Sequence, residues 1–163
     1  MGFATHLGPW LLGTVKNTTG TTAGTIRNMG ATVVTQSGTT TVSDTTATTE
    51  FVLPAGAQII EFFVDITTAY AGTTGNTITI QTAAGNSLAT VGSASTTPLA
   101  VGRATVTVTG AQIGTYLNVG TSDLVVQAIY ACAGTASGGA ATITCVYVVK
   151  DSSGAANPTN TQQ

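Results

Sequence analysis

The chain reads as an all-β protein: an antiparallel β-sandwich, jelly-roll-like, with an extended N-terminal arm. Three observations predict this. Apolar residues recur with period two at Ile60 to Ile66, Ile78 to Ile80 and Ala104 to Val108, the signature of strands with one face on a core. These stretches are short, evenly spaced and separated by Gly, Thr and Ser turns, as in sandwiches and jelly rolls. Finally, about one residue in five is threonine while only 6% are charged, where an ordinary domain has about a quarter charged. Threonine is β-branched and suits a pleated strand, with its methyl on the sheet and its hydroxyl toward water. No internal repeat of fixed period argues for a propeller or solenoid.

The 163 residues fit one domain, and 42% are hydrophobic, enough for a core. Three regions follow from composition: an N-terminal arm with its extended connection (1–30), a β-sandwich body (31–150) and a polar tail (151–163) with no large apolar residue. Residues 1–13 are apolar, and 14–30 lack periodicity and read as an extended, Gly-punctuated connection. Residues 31–36 form the first strand, and 37–49 are a strand or a loop. Phe51–Leu53 is a short strand stopped by Pro54-Ala-Gly56. In Gln58–Thr67, Ile60, Phe62, Val64 and Ile66 make an apolar face opposite Ile59, Glu61, Phe63 and Asp65. Thr77–Thr82 turns at Gly85-Asn86 and returns through Ser87–Val91. Arg103–Thr109 alternates with Ala104, Val106 and Val108 on one face. Thr109–Thr115 holds at most one helical turn, and Tyr116–Val119 is a short strand. Leu124–Ala133 and Ala141–Lys150 form the last hairpin, for eight to ten strands in all. If Gly138-Gly139 makes its turn, Cys132 faces Cys145 and Tyr130 faces Tyr147. A disulfide is then possible, but a reducing cytosol disfavours it and leaves two small buried thiols.

Charge excludes several function classes. The net charge is −2, and the four basic residues Lys16, Arg27, Arg103 and Lys150 are far apart in sequence, unlike the clustered cations that nucleic acid demands. No window approaches the roughly 20 apolar residues of a membrane span. The N-terminus lacks the basic and hydrophobic regions of a secretion signal, and His6 stands where myristoylation wants Ser or Thr. Catalysis has little to work with. His6 is the only histidine and has no neighbours for a triad or a metal. Glu61 and Asp65 share a strand face, and two such carboxylates could serve glycoside hydrolysis, but a polar sandwich face explains them as well. Asp44, Asp123 and Asp151 lack calcium-loop spacing. No phosphate-binding or dinucleotide fingerprint is present, and Asn17-Thr18-Thr19 is a sequon without a secretory context. The reading is a non-enzyme with no cofactor and no metal.

Binding remains. Phe3, Leu7, Pro9, Trp10, Leu11 and Leu12 concentrate apolar contact area outside the β-rich body, and a Trp at an interface centre is a typical hot spot. If the arm instead folds back as an ordinary strand, Trp10 is core.

The run Gly8-Pro-Trp-Leu-Leu-Gly-Thr-Val-Lys-Asn-Thr-Thr-Gly-Thr-Thr-Ala-Gly-Thr-Ile-Arg-Asn28 resembles the start of small structural proteins of tailed phages of marine bacteria, cyanophage-like and pelagiphage-like. The segments Leu124-Val-Val-Gln-Ala-Ile-Tyr130 and Gly134-Thr-Ala-Ser-Gly-Gly-Ala-Ala-Thr-Ile-Thr-Cys-Val-Tyr-Val148 are similar to the closing hairpin of β-sandwich virion proteins. The resemblance spans about half the chain and is one of composition rather than of catalytic motifs. It implies a head decoration (cement) protein bound to the outside of the major capsid protein lattice, on the capsid surface after assembly in the host cytoplasm. It further implies a homo-oligomer, dimer or trimer, with neither nucleic acid nor membrane as partner. A tail, fibre or vertex-knob subunit is the alternative, and a carbohydrate-binding sandwich is another.

Overall fold

The computed structural model describes residues 33–149 apart from 94, 96 and 97. The arm, the tail, His6 and Lys150 therefore lie outside the described residues. Nine strands and one helix follow in order: β1 (Val33–Thr41), β2 (Thr48–Leu53), β3 (Ala57–Thr68), β4 (Gly72–Thr82), β5 (Ser87–Gly92), β6 (Gly102–Ala104), β7 (Val106–Thr107), α1 (Gly110–Leu117), β8 (Leu124–Ala136) and β9 (Ala140–Val149). They build two antiparallel sheets, β1-β9-β3-β6 and β2-β8-β4-β5-β7.

The pairings are nested. β1 pairs with β9, β2 with β8, β3 with β6 and β4 with β5. This is one long antiparallel hairpin rolled up on itself, a jelly roll, with β7 added at one edge. The β9·β3 and β8·β4 pairings knit the roll into two sheets. The all-β sandwich read from the sequence is the observed fold.

Between the sheets lie Phe51, Leu53, Phe62, Val64, Ile66, Ile78, Ile80, Leu88, Val91, Val126, Ile143 and Tyr147, all buried. They come from alternate positions because a pleated strand sends successive side chains to opposite faces. The expected β4–β5 hairpin forms, with Gly85 at φ +82° in its turn.

Several expectations fail for identifiable reasons. The expected last hairpin does not form, because rolling places β8 and β9 in opposite sheets. Cys145 pairs in register with Gln36 and Phe62, and Tyr147 with Val34 and Ile59, so neither faces Cys132 or Tyr130 across a ladder. Ile60 is not core. The register slips between Ile59 and Glu61, the mark of a β-bulge. Ala57 and Ile59 point inward before it and Phe62 after it, which leaves Ile60 50% exposed. Arg103–Thr109 is not one strand: β6 pairs with β3 and β7 with β5, so the chain crosses between sheets at Thr105, and Val108 is exposed.

The expected strand at Tyr116–Val119 is instead the end of α1 and the loop after it. The Thr109 backbone N–H donates to Gln112 Oε1 (2.6 Å) and Gln112 N–H donates to the Thr109 carbonyl (3.0 Å), closing the first turn as in a capping box. Gln112 Nε2 donates to Ser87 Oγ (2.8 Å), and Tyr116 packs edge-on against Phe62 with centroids 5.7 Å apart. α1 thus closes the side of the sandwich where β6 and β7 are too short to do so.

The register defines two ends. Val33, Leu53, Ala57, the 83–86 turn, α1, Leu124 and Val149 lie at the entry end, where the described chain begins and finishes. The 42–47, 69–71 and 137–139 connections lie at the far end.

Candidate docking surface

The far end carries the polar chemistry of the interior. Tyr130 Oη donates to Asn76 Oδ1 (2.5 Å), Asn76 Nδ2 donates to the Gly72 carbonyl (3.2 Å), and Tyr70 Oη donates to the Thr40 carbonyl (2.9 Å). The Tyr70 and Tyr130 rings lie 4.6 Å apart. Burial pushes both phenols above their ordinary value, so they stay neutral. These groups satisfy one another, which is what buried polar groups must do; they are a structural network.

At the seam between β1 and β2, Gln36 Nε2 donates to the Val52 carbonyl (2.9 Å) and to Tyr147 Oη (2.7 Å), joining the two sheets. Glu50 lies at the same seam, over Gly38, where a Cβ would overlap its carboxylate. Its Oε1 is buried with no hydrogen-bond partner among the described residues. Burial, and then the charge of Asp44, raise its pKa above the ordinary 4.5. The folded state therefore holds the Glu50 proton more tightly than the unfolded chain does. The stability penalty from Glu50 is full at neutral pH and fades as pH falls through the raised value toward 4.5. Glu50→Gln should raise the neutral-pH melting temperature and flatten that part of the pH dependence. A melting curve that falls at pH 7 would show that the carboxylate makes a favourable contact.

Glu61 and Asp65 do share the outer face of β3, but Asp65 is taken. Arg103 Nε and Nη2 donate to its two oxygens at 2.7 and 2.9 Å, and this contact holds its carboxyl below the usual range. The Arg103 guanidinium also lies 4.5 Å over Phe63, between the two acids. A carboxylate fixed in an ion pair is a poor general acid, and the one aromatic face beside it is covered. Among the described residues no three His, Cys, Asp or Glu side chains converge, and no helix is long and apolar enough to cross a membrane.

Cys145 is fully buried in the core, and burial pushes its thiol up to about 12. Cys132 is half-buried in the other sheet and lines a shallow groove of about 360 Å³ with Val42, Thr45 and Tyr130. In native protein, a thiol reagent should modify Cys132 well before Cys145, and both should react after unfolding without reductant. Equal native rates, or no reaction when unfolded, would contradict this placement.

What the fold leaves uncovered is apolar surface. α1 turns Tyr116 inward and leaves Ala111, Ile113, Gly114 and Leu117 exposed. Ile113 and Leu117, four apart and so on one helical face, are 47% and 60% exposed. The sequence reading missed this surface; the spacing Ile113-x-x-x-Leu117 was its only signal. The six expected docking residues, Phe3, Leu7, Pro9, Trp10, Leu11 and Leu12, lie outside the described residues. Their chain joins the body at Val33, at the entry end.

No protein-family model matches the chain, and no curated protein matches it. Chains of two phage capsids are among the solved structures that resemble the fold. A chain of the cyanophage Pam1 capsid asymmetric unit is 19% identical with a TM-score of 0.47, over 75% of this chain and 88% of that one. A chain of the acidic stable capsid of Helicobacter pylori bacteriophage KHP30 is 12% identical with a TM-score of 0.49, over 73% and 89%. Likenesses at these levels carry no argument about role.

Proposed function

We propose that this chain is a virion structural protein, a decoration protein that binds the outside of a major capsid protein lattice and stabilises the mature head. The observation that carries the reading is a jelly roll whose outer faces are almost uncharged. Jelly rolls serve viral capsids, lectins and cupins. A cupin-type metal site wants several histidines, and this chain has one. A lectin surface wants open aromatic faces; the tyrosines at 70, 116, 130 and 147 are buried and Phe63 is capped by Arg103. A Thr- and Ser-covered sandwich with little charge suits dense packing of copies, because neighbours repel weakly and attachment changes little with salt. The sequence resemblance to phage structural proteins points the same way.

Such a protein works by mass action: binding only the expanded lattice stabilises that state, and weak contacts repeated over an array add. Residues 1–13 supply the docking contact, with Trp10 and Leu11 at its centre. Quantitative protein analysis of purified particles tests the assignment. Copies in the hundreds support a shell protein, and a handful would move the chain to the tail or a vertex.

A further inference from the structure

Seven large apolar side chains are exposed among the described residues. Six of them, Val33, Val52, Ile60, Val108, Ile113 and Leu117, lie in the half of the sandwich nearer the entry end; only Val101 lies in the other half. Ile113 and Leu117 belong to α1, Ile60 to the adjoining β3, and Val108 to the link between β7 and α1. Glu61 and Asp123, both exposed, sit in the same half. The chain ahead of Val33 has the complementary content. Residues 1–13 are apolar, and the segment up to Thr32 carries Lys16 and Arg27 and no acid.

Reach favours the meeting of these two surfaces within one molecule. Val33 and α1 are separated by β9 and β3, about 20 Å at sheet spacing plus one helix radius. A flexible coil with the length and Gly/Thr content of Gly13 to Thr32 would have a root-mean-square span of about 25 Å. Effective concentration is greatest when the span of a tether matches the gap it bridges, so an intramolecular contact outcompetes one between free copies.

We propose that in the free protein residues 1–13 dock on the chain's own entry-end surface, with Trp10 and its leucines against Ile113 and Leu117, and Lys16 and Arg27 toward Glu61 and Asp123. The contact keeps the apolar arm from self-association. It also reduces the fraction of molecules whose arm is free to dock elsewhere, weakening apparent affinity by that fraction. It concerns the free chain, so it holds or fails independently of any role in a particle.

Trp10 is the only tryptophan and reports the contact directly. At concentrations where sedimentation gives a monomer, its emission should be blue-shifted and shielded from acrylamide. In Ile113→Asp/Leu117→Asp, with the far-ultraviolet dichroism of the body unchanged, emission should shift red and quenching should rise. Ile113→Ser/Leu117→Ser should shift the same way with less disturbance of α1, while Val101→Asp at the other end should leave the signal in place. Three results would each overturn the proposal: water-like emission in the native chain, shielding that survives both double variants, or shielding that appears only as copies associate, which would make a second copy the occupant.

Discussion

Gly92→Ala should be among the most damaging single-methyl additions in the body, costing about 2–5 kcal/mol from a left-handed backbone plus overpacking. Gly92 closes β5 at φ +78°, where an L side chain is strained, and a Cβ there would overlap the carbonyl oxygen of Asn76. That oxygen belongs to the central strand β4 and cannot swing aside as a side-chain tip would. Pushing it displaces the residue whose side chain accepts from Tyr130, so the far-end network loosens with it. Gly85 provides the contrast. Its φ is +82°, but nothing lies within 4 Å of a Cβ there, so Gly85→Ala pays only the conformational part, about 1–2 kcal/mol. Thermal melts of the two variants should differ by several degrees. Equal losses would mean that Asn76 moves freely.

Phe62→Ala should cost about 3–5 kcal/mol, the range for emptying a buried aromatic site. Phe62 is 2% exposed and holds Tyr116 edge-on, so the cavity opens beneath α1. The neighbouring Phe63→Ala should cost far less, because Phe63 faces outward and is half-buried under Arg103. The contrast between adjacent phenylalanines, read by chemical denaturation, checks which face of β3 is the core. A larger loss at Phe63 would reverse that strand's orientation.

Where one face of a strand meets one core, the sequence is a good guide: β2, the second half of β3, and the β4–β5 hairpin all follow from alternation and turn residues. Alternation cannot reveal a bulge, so Ile60 reads as core although the slip after Ile59 turns it outward. Nor can it reveal where a strand changes sheets, which is why Arg103–Thr109 looks continuous. The misplaced hairpin is a conflict between two levels of reading. A jelly roll already requires its last two strands to lie in opposite sheets, whereas a Gly138-Gly139 turn suggests that neighbours in sequence pair. At Gly139 the φ of +145° and the close Tyr70 ring belong to a crossover between sheets. α1 escaped because Gly110 and Gly114 dilute an eight-residue period, and with it escaped Ile113 and Leu117, whose exposure only the folded body makes visible.

The measurement that bears most directly on the proposed shell-binding role is equilibrium binding of the purified chain to empty capsid shells prepared without it. The full chain should bind saturably. A chain lacking residues 1–13 should keep the dichroism of the folded body, with melting lowered only by the loss of the arm's own contact with it, yet lose attachment, since burial of Trp10 and Leu11 at hot-spot scale would supply about 2–4 kcal/mol per copy. Full-length chain that fails to bind such shells, or truncated chain that binds them with undiminished affinity, would contradict the account.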